Sequence, residues 1–292
     1  MMAANTHNKN KNTPPKKSSL LTWVGVAVVV VIVATLVVVK VNRGSGGTSG
    51  LADVAASASL VKNVNTPNMA VADAVAKVVS PSAVSPLTLI AGQPLLTLKS
   101  KPDVLYIGAE WCPFCAAERW ALAVALARFG TLSHLDLTWS SDVTGEAYPR
   151  TPTLSFVHAT YSSPYISFES VETGTRTRQP LQSMNARQQA IFAKYDQNSY
   201  LSANQPGYPG SIPFLDIGNR YFMAGSNFLP GVLAGMTQDN IAAGLGQSGS
   251  VVTQDIVGAA NEITAGICSL THSAPASVCH ATAITGLQRA TS

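Results

Sequence analysis

The most continuous apolar pattern in the chain is a run near its amino terminus, which contains no charged residue from position 18 to position 39. At a helical rise of about 1.5 Å per residue, about twenty apolar residues cross the hydrocarbon core of a membrane. Four lysines and no acidic residue precede the run, and this charge bias is typical of a cytoplasmic segment. We therefore predict a basic cytoplasmic tail over residues 1–19 and a transmembrane anchor over residues 20–41.

A cleaved signal peptide is the alternative for the same run. Its apolar core would be about 7 to 15 residues long and would end in a small-x-small cleavage site. The run in this chain is longer and ends Val37-Val38-Val39-Lys40. This length favours an uncleaved anchor, which would place every later residue outside the cytoplasm.

Beyond the anchor, the pattern becomes that of a mixed α/β domain. Residues 42–49 are rich in glycine and serine, and residues 51–79 are rich in alanine and valine and could form short helices. We predict a linker over residues 42–80 and a globular domain over residues 81–292. Within it, the spacing of apolar residues predicts strands at 104–107, 133–139, 153–158 and 165–171, a hairpin of 214–217 with 221–224, and helices at 116–127, 184–195, 227–245 and 251–270.

A pair of cysteines lies where the strand at 104–107 should give way to a helix. Cys112 and Cys115 are three positions apart, so at a helix start their sulfurs lie on one turn and can form a disulfide without a backbone shift. Unpaired N–H groups and the helix dipole favour the thiolate of Cys112, the form that attacks disulfides. We predict that Cys112 is the nucleophile and that Cys115, more buried, resolves the intermediate.

Two other roles for this pair are weaker but stay open. A zinc site needs a second pair of ligands, and the nearest other cysteines are the distant Cys268 and Cys279. A purely structural disulfide between residues three apart would constrain the unfolded chain very little. The sequence therefore favours a redox pair.

The residues around the pair resemble known families. Residues 109–115, Ala-Glu-Trp-Cys-Pro-Phe-Cys, look like the active-site segment of thioredoxin-fold oxidoreductases, with a Pro-aromatic dipeptide like that of glutaredoxins. More narrowly, residues 105–120 resemble domain of unknown function 929, and this resemblance extends over about residues 84–279. It implies a thioredoxin-like fold. Since that fold needs only about half of the predicted domain, an enlarged insertion is expected between the helix after Cys115 and Pro213.

The segment Gly-Ser-Ile-Pro-Phe-Leu-Asp-Ile at 210–217 resembles the turn in which thioredoxin-like proteins carry a cis-proline opposite the cysteine pair. The resemblance implies that Pro213 is cis, which would leave the Ile212 backbone free to pair with an extended substrate. The implied site consists of the catalytic residues Cys112, Cys115 and Pro213 and the substrate-binding residues Ile212, Trp111 and Phe114.

One position departs from the thioredoxin pattern. Many thioredoxin-fold enzymes carry a buried acid six residues before the first cysteine as a proton relay, and this chain has Tyr106 there. Glu110 is close in sequence, but strand alternation does not guarantee that it faces the thiols. The sequence therefore leaves open how the proton of Cys115 is handled.

The second cysteine pair, Cys268 and Cys279, would lie outside the cytoplasm, where disulfides persist. We expect a structural disulfide worth about 3 kcal/mol by loop entropy. Two alternatives stay open, a redox partner for the first pair and a Cys₂His₂ metal site with His272 and His280, whose spacing matches no common zinc framework.

Composition adds little to these expectations. The net charge of +4 comes largely from the lysines before the anchor, and nothing indicates nucleic-acid binding. We expect a membrane-anchored, extracytoplasmic thiol-disulfide oxidoreductase that acts on protein thiols or disulfides and needs neither a metal nor a soluble cofactor. The alternatives are a non-enzymatic thioredoxin-like module for envelope binding or assembly, and a metal chaperone.

Overall fold

The structure, a computed structural model, describes residues 53–75, 85–196 and 210–291. No helix within these ranges is both long and apolar enough to cross a membrane. The predicted tail over residues 1–19 and the predicted anchor over residues 20–41 lie outside the described residues.

The described chain alternates between strands and helices, so its class is mixed α/β. The strands are β1 (Val54–Ala55), β2 (Thr88–Leu89), β3 (Thr97–Leu98), β4 (Lys101–Gly108), β5 (Thr131–Ser133), β6 (Asp136–Trp139), β7 (Pro152–Ser155), β8 (Thr160–Ser162), β9 (Ser167–Glu172), β10 (Phe214–Ile217) and β11 (Tyr221–Ala224). The helices are α1 (Ala58–Val64), α2 (Met69–Ala74), α3 (Pro113–Ala127), α4 (Ala186–Tyr195), α5 (Gln238–Gly244), α6 (Val251–Leu270), α7 (Ala276–Cys279) and α8 (Thr282–Thr291), with a 3-10 turn at Pro230–Leu233.

Strand β4 pairs with three other strands of the main sheet. It pairs antiparallel with β10 and parallel with β9, and its first two residues pair with β3. Beyond β10 the sheet continues through β11 to β2, so the order is β9-β4-β10-β11-β2. Residues 104–107 of β4 are fully buried. Burial on both faces explains why this strand is a continuous apolar run instead of an alternating one.

The predicted hairpin of β10 and β11 is confirmed, with the predicted bounds. Gly218 and Asn219, in its turn, have φ angles of 62° and 57°. A Cβ atom on Gly218 would lie 2.5 Å from a methyl carbon of Leu270 on α6. The turn therefore needs glycine both for its backbone conformation and for the close approach of the helix.

Helix α3, which follows the cysteine pair, is buried over almost its whole surface. It packs against α6 and β7, and its many alanines let these neighbours approach closely. The indole N–H of Trp120 donates to the carbonyl of Pro152, at the start of β7, at 3.0 Å. The helix that positions the cysteines is therefore fixed by contacts with both a neighbouring helix and a neighbouring strand.

The segment between α3 and β9 forms strands outside the main sheet. β6 pairs with β7 and β1, and β5 pairs with β8. The predicted single strand at 133–139 is wrong, because it is divided into β5 and β6. His134, between them, has a φ of 55°, which turns the chain and interrupts an extended strand.

Two further predictions about element positions need correction. Residues 53–75 fall within the predicted linker of 42–80, yet β1 pairs with β6, and Leu60 and Val64 of α1 lie in the main hydrophobic core. The packed domain therefore begins before residue 81. The helical stretch predicted near 227–245 is confirmed only in part, as a 3-10 turn followed by the short helix α5.

The predicted disulfide between Cys268 and Cys279 is present and joins the last turn of α6 to the end of α7. Both cysteines are fully buried. The bond closes a loop with a sequence separation of 11, so it restricts the unfolded chain.

We expect the Cys268→Ala/Cys279→Ala variant to lose about 3 kcal/mol of unfolding free energy, by the loop-entropy relation. Urea unfolding of variant and wild type under non-reducing conditions measures the difference. The Cys112→Ala/Cys115→Ala variant, treated in parallel, serves as the control for removal of two thiols. Equal midpoints for the wild type and the Cys268→Ala/Cys279→Ala variant would contradict the expected contribution.

A buried carboxyl lies between α3 and α6. Glu118 is fully buried, and its Oε2 accepts the N–H of Asn227 at 3.2 Å. Its Oε1 has no hydrogen-bond partner among the described residues. Burial raises the pKa of Glu118 to about 8; the Asn227 hydrogen bond lowers it in part, and the charge of Glu262 raises it by a smaller amount.

A carboxyl whose pKa is higher in the folded than in the unfolded state stabilises the fold below the unfolded pKa, and that stability is lost as pH rises through the folded pKa. For Glu118 the window runs from about 4.5 to about 8. We expect Glu118→Gln, which stays neutral, to be more stable than the wild type at pH 8 by about 4 kcal/mol and similar to it at pH 4.5. Urea unfolding across this range measures the gap. A gap independent of pH would refute the role of Glu118.

Candidate active site

Cys112 is the N-cap residue of α3, directly after the loop that leaves β4. Its carbonyl accepts the N–H of Ala116 at 3.0 Å, and its Sγ accepts the N–H of Cys115 at 3.2 Å. Pro113 occupies the first helical turn, where a missing N–H breaks no helical hydrogen bond. The sequence therefore places a sulfur where a polar oxygen usually caps a helix, next to unpaired N–H groups.

The two thiols differ in their surroundings. Cys112 is 4% exposed, whereas Cys115 is fully buried. Burial alone raises the pKa of Cys112, but hydrogen bonds from Cys115, the charge of Arg119 and the N–H of Phe114 outweigh it, so this pKa lies below its ordinary value. Burial, and then its contact with Cys112, raise the pKa of Cys115 well above its ordinary value. Cys112 is therefore the thiol that ionises first.

The Ile212–Pro213 peptide faces this pair from the start of β10. The bond is cis, as predicted from the sequence, and Pro213 is buried. The carbonyl of Ile212 accepts a hydrogen bond from Cys112 Sγ at 3.6 Å across 100 positions of the chain. Sheet pairing explains this proximity, because the first residue of β10, Phe214, pairs with Ile107 near the end of β4.

Trp111 and Phe114 flank Cys112 and are partly exposed. The guanidinium of Arg178 lies 4.3 Å from the ring centroid of Trp111, and Phe114 meets Tyr148 edge-on at 5.8 Å. The two aromatic rings therefore form a rim whose orientation is set by neighbouring side chains. The structure groups Cys112, Cys115, Ile212 and Pro213 and places Trp111 and Phe114 at their border.

An ion pair that the sequence analysis missed lies next to the cysteines. Arg119, one turn after Cys115 on α3, binds Glu172, the last residue of β9, through Nε at 2.7 Å and Nη2 at 2.8 Å. Nη2 also donates to the carbonyl of Ala109 at 2.7 Å. Both charged side chains are 0% exposed. The available signal was Arg119 within an otherwise apolar, alanine-rich helix, because a buried arginine requires a partner of opposite charge.

A sequence profile of the family described as domain of unknown function (DUF929) matches residues 90–269. This chain belongs to the DUF929 family. The matched DUF929 region contains the first cysteine pair, the Arg119–Glu172 ion pair and Pro213, and it ends between Cys268 and Cys279. No curated protein and no solved structure matches the chain.

In this DUF929 domain, Tyr106 occupies the position where the thioredoxin pattern has an acid. Its side chain is fully buried and meets Phe156 edge-on at 5.6 Å. Its hydroxyl has no hydrogen-bond partner among the described residues. Burial raises the pKa of Tyr106 well above its ordinary value, and Arg119 lowers it in part. This hydroxyl therefore stays protonated and supplies no carboxylate for a proton relay.

Glu110 faces a cleft on the DUF929 domain. The cleft has a volume of about 510 Å³ and is also lined by Asp136, Ser155 and His158. Ser155 donates to Glu110 Oε1 at 2.7 Å, and His158 Nδ1 lies 2.6 Å from Asp136 Oδ2. Burial raises the pKa of Glu110, while Ser155 and Arg119 lower it. A carboxyl two positions before Cys112 is therefore in contact with this cleft.

No group of three or more His, Cys, Asp or Glu residues in the described part of the chain has the geometry to hold a metal ion. The sulfurs of Cys268 and Cys279 are bonded to each other, so in this state they are not available as ligands with His272 and His280. Cys112 and Cys115 are free thiols.

Proposed function

We propose that this DUF929 protein has a thioredoxin-like fold and is a thiol-disulfide oxidoreductase. The observation that carries this proposal is the position of Cys112, which caps α3 beside the fully buried Cys115 and donates to the carbonyl of Ile212 before cis-Pro213. This arrangement combines a nucleophile with a lowered pKa, a second thiol on the same turn and an adjacent peptide carbonyl.

The order of the main sheet supports the proposed fold. β4 leads through the cysteine loop into α3, β9 returns parallel to β4, and the β10–β11 hairpin lies on the other side of β4. The cysteine pair and the proline turn thus meet where β4 ends and β10 begins. In a thioredoxin-like fold, the strands between α3 and β9 would form the enlarged insertion.

The proposed chemistry has two steps. The Cys112 thiolate attacks a substrate disulfide, the substrate S–S bond breaks, and the other substrate sulfur leaves as a thiolate. Cys115 loses its proton to that thiolate and attacks Cys112 Sγ, which releases the second substrate sulfur, and this sulfur takes a proton from water. Two electrons have then moved from the cysteine pair to the substrate. The reverse sequence oxidises a substrate dithiol, and a second thiol or disulfide partner restores the starting state.

Disulfide exchange by the reduced full chain in detergent tests this proposal. We expect it to reduce a peptide disulfide faster than dithiothreitol at the same thiol concentration, and to lose that advantage after alkylation of Cys112. A rate no higher than that of dithiothreitol would reject the enzymatic function and favour a non-enzymatic binding module.

We also propose that the apolar run at residues 20–41 anchors the protein and that the domain lies outside the cytoplasm. The lysines before the run and the disulfide of Cys268 and Cys279 both support this orientation. We expect a protease added to intact protoplasts to digest the domain while a cytoplasmic marker protein stays intact. Protection of the domain until the membrane is permeabilised would reverse the orientation.

A further inference from the structure

The Arg119–Glu172 ion pair contacts the segment that carries the cysteines, so it can affect the thiols as well as the stability of the fold. Arg119 lies on the same helix as both cysteines and also binds the carbonyl of Ala109, in the loop that leads to Cys112. Its guanidinium lowers the pKa of both cysteines, whereas the charge of Glu172 raises the pKa of Cys115. Arg119 is four positions after Cys115 on α3, so the two side chains lie on the same face of the helix and the positive member of the pair is the one that shares this face.

One nitrogen of the guanidinium has no partner among the described residues. Nε and Nη2 bind Glu172 and Ala109, but Nη1 is buried and has no hydrogen-bond partner in the described part of the chain. A buried N–H without a partner destabilises the fold. Arginine stays protonated in proteins, so this site keeps a permanent positive charge in a buried region next to a thiol pair.

We propose that Arg119 is the positioning residue that stabilises the thiolate of the cysteine pair, and that Glu172 holds Arg119 in place and limits its effect. This inference rests on the proposed redox function and assigns the control of that site. The proposal also assigns a charge effect on the thiols to the Arg119–Glu172 ion pair, in a chain that has Tyr106 where thioredoxin-fold enzymes often have a buried acid.

The charged and titratable groups around Arg119 come from four elements. Glu172 is on β9, Tyr106 on β4, Glu110 in the following loop, and Cys112 and Cys115 at the start of α3. None of these five neighbours carries a positive charge, so Arg119 supplies the positive charge of this group. Because a stabilised thiolate favours the reduced form, loss of Arg119 should make the pair more reducing, and loss of the Glu172 charge should make it more oxidising.

Two variants of the full chain test this with opposite expected signs. In Arg119→Met, we expect iodoacetamide to alkylate Cys112 roughly tenfold more slowly at pH 6, since an opposite charge nearby lowers a pKa by about one unit or more. In Glu172→Gln, the positive charge remains and the negative one is lost, so we expect faster alkylation than in the wild type. Mass spectrometry of the Cys112 peptide from pH 4 to pH 9 provides the rates.

The reduction potential should follow the same order. For a two-electron couple, a tenfold change in the equilibrium constant corresponds to about 30 mV. Equilibration with glutathione buffers should give a lower potential for Arg119→Met and a higher one for Glu172→Gln. Arg119→Lys, which keeps the charge without the two-point contact, should lie between Arg119→Met and the wild type.

Arg128→Met is the matched control. Arg128 is the C-cap of α3, is 5% exposed and donates to Thr264 at 2.7 Å. It lies 13 positions after Cys115, roughly 20 Å along the helix, so its loss should leave the alkylation profile of Cys112 unchanged.

Opposite shifts in Arg119→Met and Glu172→Gln, with no shift in Arg128→Met, would support the proposal. Shifts of the same sign in both, or no shift in either, would overturn it. If Arg119→Met does not fold, Arg119→Lys and Glu172→Gln still decide the sign. Alkylation needs no protein substrate, so failure of disulfide exchange and failure of this inference are seen separately.

Discussion

Cys112→Ser is expected to lose disulfide exchange entirely, whereas Cys115→Ser is expected to accumulate a covalent complex with its substrate. A serine hydroxyl at position 112 is not ionised at neutral pH and cannot form a disulfide. In Cys115→Ser the first attack still occurs, but no neighbouring thiol is left to break the mixed disulfide. Non-reducing electrophoresis and mass spectrometry of the full chain after incubation with a disulfide peptide distinguish the two results.

The Cys112→Ser/Cys115→Ser variant is the control and should capture no peptide. We expect this difference because Cys112 is slightly exposed and contacts the Ile212 carbonyl, whereas Cys115 is fully buried. Capture of peptide by Cys112→Ser would reverse the assigned roles.

Arg119→Met alone is expected to destabilise the domain by about 3–5 kcal/mol, because it leaves the carboxylate of Glu172 buried without its partner. For a domain of this size, such a loss lowers the melting temperature by roughly 10 °C. The free energy of unfolding from urea titration measures the effect.

The double variant Arg119→Met/Glu172→Leu removes both charges and should recover much of the lost stability, since a buried ion pair and an apolar pair of similar volume are often equally stable. An Arg119→Met variant as stable as the wild type would contradict the buried pairing. The comparison also separates the contribution of the pair to stability from its proposed effect on Cys112.

Local patterns were sufficient for the elements around the cysteines. The apolar run of β4, the proline after Cys112 and the alanine-rich helix all act within one short segment, so the strand, cap and helix follow from neighbouring residues. The β10–β11 hairpin was also predictable, because Gly218 and Asn219 accept the positive φ angles that its turn requires.

Other predictions failed where packing decides the outcome. Residues 53–75 have a composition that fits either a linker or a packed segment, and only the contacts of Leu60 and Val64 with the core settle this. Polar and apolar residues alternate within the strand predicted at 133–139, but the turn at His134 divides this segment between two small sheets. Alternation shows that one face of a strand is buried, but it does not show which sheet the strand joins.

The sequence by itself determined the redox pair as a candidate, its position at a helix start, the hairpin and the DUF929 resemblance, because each depends on residues close together in the chain. The tertiary structure alone decided that Ile212 meets Cys112, that Glu110 faces a cleft and that Arg119 binds Glu172. The last of these joins residues 53 positions apart through the parallel pairing of β4 with β9. A buried charge must find its partner, but which partner it finds depends on how the strands are ordered.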